Sequence, residues 1–145
     1  MGSFIIDDEL QALSDIGLFG FGPATFRVVF PFYNGVPVQR VQNIWRFLHE
    51  DYLQTALEWG WLGSTLWALL FFGGITVGIR NYKQYAPDWT PRRRLLQPLV
   101  IIALIGVALH AIIDFPLQIA SIQLYVATYL GLCWGSGSWN QRPDL

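Results

Sequence analysis

WGWLGSTLWALLFFGGITVGI, residues 59–79, holds no Asp, Glu, Lys or Arg and is bounded by Glu58 and Arg80. As a helix it would rise about 1.5 Å per residue and cover roughly 30 Å, the thickness of a bilayer's hydrocarbon core. An uncharged run of that length predicts a membrane span. Further along, residues 95–113 form a second apolar run, interrupted only by Pro98 near its start, where a missing N–H is tolerated, and by His110 near its end. After Asp114, Phe115 and Pro116 the chain is free of charge as far as Gln141. Residues 117–135 therefore predict a third span, although Gln118, Ser121 and Gln123 occupy its first turns. The connection at 114–116 is short, and Pro116 suits the first turn of a helix, so spans two and three should form an antiparallel hairpin.

Composition agrees with a chain built for lipid. Of its 145 residues, 53% are hydrophobic and 13% charged, about half the charged share of an ordinary soluble domain. Seven Trp, six Tyr and ten Phe suit a protein whose aromatic rings sit at membrane–water boundaries. A formal charge of −1 gives no basic face for a phosphate backbone, so nucleic acid is not an expected partner. The single cysteine, Cys133, has no partner for an internal disulfide and reads as a small buried hydrophobe. Two histidines and one cysteine, dispersed along the chain, make no metal-ligand cluster, and neither a GxxxxGK loop nor a GxSxG elbow occurs. No cofactor is expected.

Arg80, Lys83, Arg92, Arg93 and Arg94 crowd the connection between spans one and two, with Asp88 the only acid there. The excess of basic residues predicts a cytoplasmic loop at 80–94, and places residues 1–58 and the Asp114 hairpin on the opposite side. The fold expected is all-α and integral to the membrane: an extracytoplasmic segment at 1–58, then about three transmembrane helices within 59–145. The first ten residues hold Asp7, Asp8 and Glu9 and no basic residue, unlike a signal peptide, and residues 16–33 are too rich in Gly and Pro for a span. Some earlier helix should have carried 1–58 across, so the chain is expected to be the C-terminal piece of a longer multi-span protein or of a truncated gene product.

The outer segment divides into GLFGFGPATFRVVFPFYNG (17–35), which reads as turns and extended chain, and FLHEDYLQTALEWG (47–60). In the second, Tyr52, Leu53, Ala56 and Leu57 recur at helical spacing and predict a short amphipathic helix at the membrane surface. Glu50, Gln54 and Glu58 form a separate polar stripe, and His49 lies on the edge of the apolar face. A histidine beside such a stripe can serve as a general base where a lipid-linked substrate arrives. It can equally anchor a helix in the headgroup layer.

HEDYLQTALEWGWLG, preceded by GFGPATFRVVFPFYN and followed after further apolar sequence by LHAIIDFPLQ, resembles the C-terminal half of the bacterial O-antigen ligase and polymerase superfamily. The resemblance covers most of the chain. His49, Asp51, Tyr52, Leu53, Gln54, Glu58 and Gly60 match the family's loop motif, while Glu50 stands where Asn is usual. That extra carboxylate either raises the histidine's pKa and weakens it as a neutral base, or steadies its charged form.

The resemblance implies metal-independent glycosyl transfer in the bacterial inner membrane, with residues 1–58 in the periplasm. A glycan would leave an undecaprenyl diphosphate-linked donor and join an acceptor hydroxyl on lipid A core or another glycan, with His49 as the base. Arg46, Arg40 and Arg27, the basic residues of the outer segment, are candidates to bind the donor diphosphate, Arg46 first. Arg27 and Arg40 are as readily contacts to lipid phosphate. Much of the donor site would come from helices absent here, N-terminal in the same protein or in a partner membrane protein. A second reading, from a different class, is a non-catalytic three-span protein that binds lipid-linked glycan or associates with a complete enzyme. His110 and Asp114, four residues apart at the outer end of span two, read as a helix-end pair fixing the hairpin. Trp59, Trp61 and Trp67 read as an interfacial belt and a packing face. Gly63, Gly73, Gly74 and Gly78 permit close helix contact without their spacing being diagnostic.

Overall fold

A computed structural model describes residues 16–25 and 51–140, and among these there are only helices and turns. Three helices carry the fold: α1 (Asp51–Tyr85), α2 (Pro91–His110) and α3 (Ala120–Gly135). Short 3-10 turns at Ala86–Asp88 and Pro116–Gln118 join them, and another at Ser136–Asn140 follows α3. The chain separates into two compact units, one of residues 1–66 with 111–115, the other of 67–110 with 116–145.

In the second unit all three helices contribute to one apolar core. Phe71 and Ile75 come from α1, Val100, Ile101 and Leu104 from α2, and Val126, Leu130 and Cys133 from α3. Their directions follow from paired contacts. Arg93 Nη1 donates to the Trp139 carbonyl at 2.8 Å, and Gln97 Nε2 to Cys133 Sγ at 3.7 Å; rising numbers on α2 meet falling numbers on α3, so the two are antiparallel as the short hairpin predicts. Asn81 Nδ2 donates to Ser136 Oγ at 2.9 Å, while Gly78 faces Cys133 and Gly74 faces Leu130. Here the numbers rise together, so α1 and α3 run parallel and successive helices alternate in direction.

Glycine sets the approach of α1 to α3. A Cβ at Gly78 would stand 2.7 Å from Gln97 Nε2 and 3.0 Å from Cys133 Sγ, and one at Gly74 would stand 2.9 Å from Trp134 Nε1. Gly63 differs, since a Cβ there would meet only Trp59 of its own helix. At this contact Gln97 is fully buried, and its Oε1 has no hydrogen-bond partner among the described residues. A buried amide oxygen without a donor is destabilising by roughly 1–3 kcal/mol. Gln97→Met, which keeps the length of the side chain and removes both polar atoms, is therefore expected to raise the thermal midpoint measured in detergent or nanodiscs.

The outer surfaces are apolar. Leu69 and Ile102 are each 64% exposed, and Phe72, Leu99, Leu109 and Leu124 are also turned outward. Among the described residues two helical segments, Asp51–Asp88 and Pro91–His110, are long and apolar enough to cross a membrane, and only 22% of the most apolar window of each is buried. The core helix of a water-soluble protein would be mostly buried.

The boundaries differ from those expected. α1 runs on to Tyr85, so Arg80 and Lys83 ride on exposed helix, and Arg92, Arg93 and Arg94 open α2. The connection shrinks from 80–94 to 86–90, because long basic side chains are tolerated on an exposed helical face and the interruption falls at Pro87 and Pro91, which lack an N–H. α2 stops at His110, and not at 113. The carbonyl of Ala111, which a continuing helix would give to Phe115, accepts instead from Asp51 N at 3.2 Å, and Phe115 N donates to Asp114 Oδ1 at 2.9 Å. α3 has 16 residues where 117–135 was expected to be helical. Pro116–Gln118 form a 3-10 turn and Ile119 is extended, so helix begins at Ala120, with the Leu117 carbonyl accepting from Gln123 Nε2 at 2.6 Å. Sixteen residues cover about 24 Å, less than the hydrocarbon thickness.

Candidate functional site

The residues matched to the loop motif fall at the head of α1, before a break in the helix. Asp51, Gln54 and Glu58 lie at i, i+3 and i+7 and are all buried, so they share one face. Glu58 organises it. Its Oε1 accepts from Gln54 Nε2 at 3.0 Å and its Oε2 from the backbone N–H of Ala24 at 3.0 Å. Gln54 and Glu58, the described part of the predicted polar stripe, are thus part of a packed interior. Of the residues expected on the apolar face, Ala56 and Leu57 are buried and Leu53 half-buried, while Tyr52 is exposed. Desolvation, and then the neighbouring Asp51 carboxylate, hold the Tyr52 phenol above its ordinary value, so it keeps its proton at neutral pH.

The break is at Gly60, with φ 67° and ψ −174°, a conformation essentially restricted to glycine. Interrupting a helix orphans the last carbonyls of one limb and the first N–H groups of the next. The loop of residues 16–25 supplies partners to groups of both sets. Phe21 N donates to the Leu57 carbonyl and Gly22 N to the Glu58 carbonyl, each at 2.9 Å, and the Leu18 carbonyl accepts from Leu62 N at 3.1 Å. To fit there the loop turns at Gly17, Gly20 and Gly22, all at positive φ, with Ala24 also in the left-handed region at φ 60°. Gly20 and Gly60 meet backbone to backbone: a Cβ on either would run into the main chain of the other. The Gly22 carbonyl accepts from Thr25 Oγ1 at 2.5 Å and steadies the exit.

Glu58 is the side chain that locks loop to helix. Glu58→Ala removes the acceptor of the Ala24 N–H and one acceptor of the Gln54 amide, and is expected to cost about 3 kcal/mol. Glu58→Gln keeps one acceptor oxygen and should cost roughly half of that. Proteolysis within 16–25, followed in detergent against temperature, measures both.

His49, Glu50, Arg27, Arg40 and Arg46 lie outside the described residues. His110 closes α2 on an exposed position, and Asp114 stands in the turn that follows. Among the described residues no group of His, Cys, Asp and Glu is arranged to hold a metal ion. The motif's Gln54, Glu58 and Gly60 are engaged in holding a broken helix and its splint, which leaves them little freedom for chemistry, while Asp51 is buried beside them and its N–H donates to the Ala111 carbonyl. Gly17, Gly20, Gly22 and Ala24 were not singled out from sequence as site residues. Three glycines within six residues, and a fourth at the mouth of an apolar run, are the trace they leave there. No family model matches the chain, and no curated protein or solved structure matches it.

Proposed function

We propose that the chain is the C-terminal part of a membrane glycosyltransferase of the O-antigen ligase and polymerase type, inserted in a bacterial plasma membrane with residues 1–58 on the periplasmic side. The reading is supported above all by the division of labour within HEDYLQTALEWG. Gln54, Glu58 and Gly60 share one structural task at the head of an apolar helix, while His49, two residues before α1, is the motif residue to which the resemblance gives the chemistry. Outward-facing apolar side chains on α1 and α2 support insertion in lipid.

In this reading His49 takes the proton of an acceptor hydroxyl on lipid A core or a growing glycan. The hydroxyl oxygen forms a bond to the anomeric carbon of the donor sugar, and the bond to undecaprenyl diphosphate breaks with its electron pair. Arg46, with Arg40 and Arg27, balances the charge on the departing diphosphate. Helices from elsewhere in the same protein, or from a partner membrane protein, complete the donor site.

The test is His49→Ala in the source cell, scored as glycan attached at the cell surface with the protein's membrane level monitored. Loss of attachment at unchanged level is the expected result. Unchanged attachment would sink the catalytic reading and favour a protein that binds lipid-linked glycan or a partner enzyme without reacting.

A further inference from the structure

The loop that splints the break carries two large apolar side chains that are mostly exposed. Leu18 is 62% exposed and Phe19 77% exposed, while Ile16, at the start of the same loop, is buried. The tip is rigidly held. Gly17 and Gly20, at φ 59° and 69°, turn the chain on either side of it, and the bond from Leu62 N to the Leu18 carbonyl sets its position along the helix. Leu62 is the second residue after the break, where the apolar limb begins, so the tip stands level with the start of that limb. Trp59 and Trp61 flank the same level and are both more than half exposed. Tryptophan at the end of an apolar helix marks the headgroup boundary.

Nothing in the loop opposes transfer out of water. Residues 16–25, IGLFGFGPAT, carry no ionisable side chain, and the main-chain groups Leu18 C=O, Phe21 N–H and Gly22 N–H are already paired with α1, which removes much of the penalty for placing irregular backbone near hydrocarbon. Leu62, whose N–H donates to the Leu18 carbonyl, and Leu66, one turn further along the same limb, are exposed apolar residues as well. We propose that the Leu18–Phe19 tip is a second membrane contact, inserted among the lipids of the leaflet in which α1 begins. Its partner is the bilayer itself. The inserted tip tethers the buried Asp51–Glu58 face at the lipid surface, where a lipid-borne substrate would be met. The inference rests on α1 crossing a bilayer.

The experiment uses Leu18→Cys and Phe19→Cys in a Cys133→Ala background, each labelled with an environment-sensitive fluorophore and placed in nanodiscs of phosphatidylethanolamine and phosphatidylglycerol. Thr65→Cys, exposed on the apolar limb, and Pro23→Cys, exposed beside the residue that bonds Glu58, are the references. Acyl-chain nitroxides are expected to quench labels at 18 and 19 as strongly as at 65, with blue-shifted emission, and aqueous iodide is expected to quench only the label at 23. Labels at 18 and 19 that respond to iodide as the label at 23 does would overturn the proposal. Protection from both quenchers would also overturn it, because it assigns the tip to a protein contact. If the label at 65 is itself untouched by nitroxide lipid, the membrane reading fails and this proposal with it. Reaction of the unlabelled thiols with a membrane-impermeant reagent gives an independent measure of the same exposure.

Discussion

Replacing Gly60 by alanine is expected to undock the glycine loop and destabilise the first unit by about 4 kcal/mol, the sum of two costs. One is conformational: φ 67° with ψ −174° is strained for any residue with a Cβ, by about 1–3 kcal/mol. The other is steric, because the new methyl would run into Gly20 N and the Leu18 carbonyl. Main chain cannot swing aside as a flexible side chain can, so relief requires the loop to withdraw. Withdrawal gives up the bonds from Phe21 N, Gly22 N and Leu62 N, at roughly 1 kcal/mol each. Gly20→Ala meets the same obstruction from the other side, against Gly60 N and the Glu58 carbonyl. Because either substitution already separates loop from helix, the double variant should cost much less than the two single costs added. Rapid proteolysis at 16–25 in both single variants, with little further change in the double, is the measurement that checks this. Additive costs would mean that the two glycines act independently, and a resistant Gly60→Ala protein would mean that the break is not locked by this contact.

His49→Ala is expected to lower glycan transfer by roughly 10²–10⁴-fold, the usual contribution of a positioned general base. The chain should still insert, because the contacts that hold the head of α1 come from Glu58, Gly60 and the loop. That expectation separates it from Gly60→Ala, which should lose activity together with protease resistance. Exogenous imidazole restoring part of the transfer in His49→Ala would mark lost proton transfer. A variant that loses activity and becomes protease-sensitive in step would point instead to a structural role for the histidine. Charge on the arginines gives a further distinction: Arg46→Lys keeps the positive charge but loses the planar fork, and should retain part of the transfer if Arg46 faces phosphate.

Residues 59–79 show how much of the fold was legible. An uncharged run long enough for a bilayer predicts helix without any knowledge of its neighbours, because in lipid the backbone must satisfy its own hydrogen bonds. The antiparallel turn-back of α3 on α2 was legible in the shortness of 114–116. The ends of helices were less so. Whether α2 ends at 110 or 113 turns on the Ala111 carbonyl being taken by Asp51 N, sixty residues earlier in the chain. The stripe of Gln54 and Glu58 was visible as a period of four residues. Whether it faced water or protein was not, because a buried carboxylate needs its donors to be brought from elsewhere, and one of them is the main chain at Ala24.

Composition and periodicity by themselves determined that the described part of this chain is helical, that its helices carry apolar surface, and that they are punctuated at prolines. These are properties of residues in a row, and local hydrogen bonding and solvent transfer decide them. Only the tertiary structure decided that Gly60 breaks α1 and that Gly17–Gly22 bridge the gap. A glycine permits a left-handed backbone but does not require one. What selects it here is a loop about forty residues away whose N–H and C=O groups replace the helical bonds that the break removes.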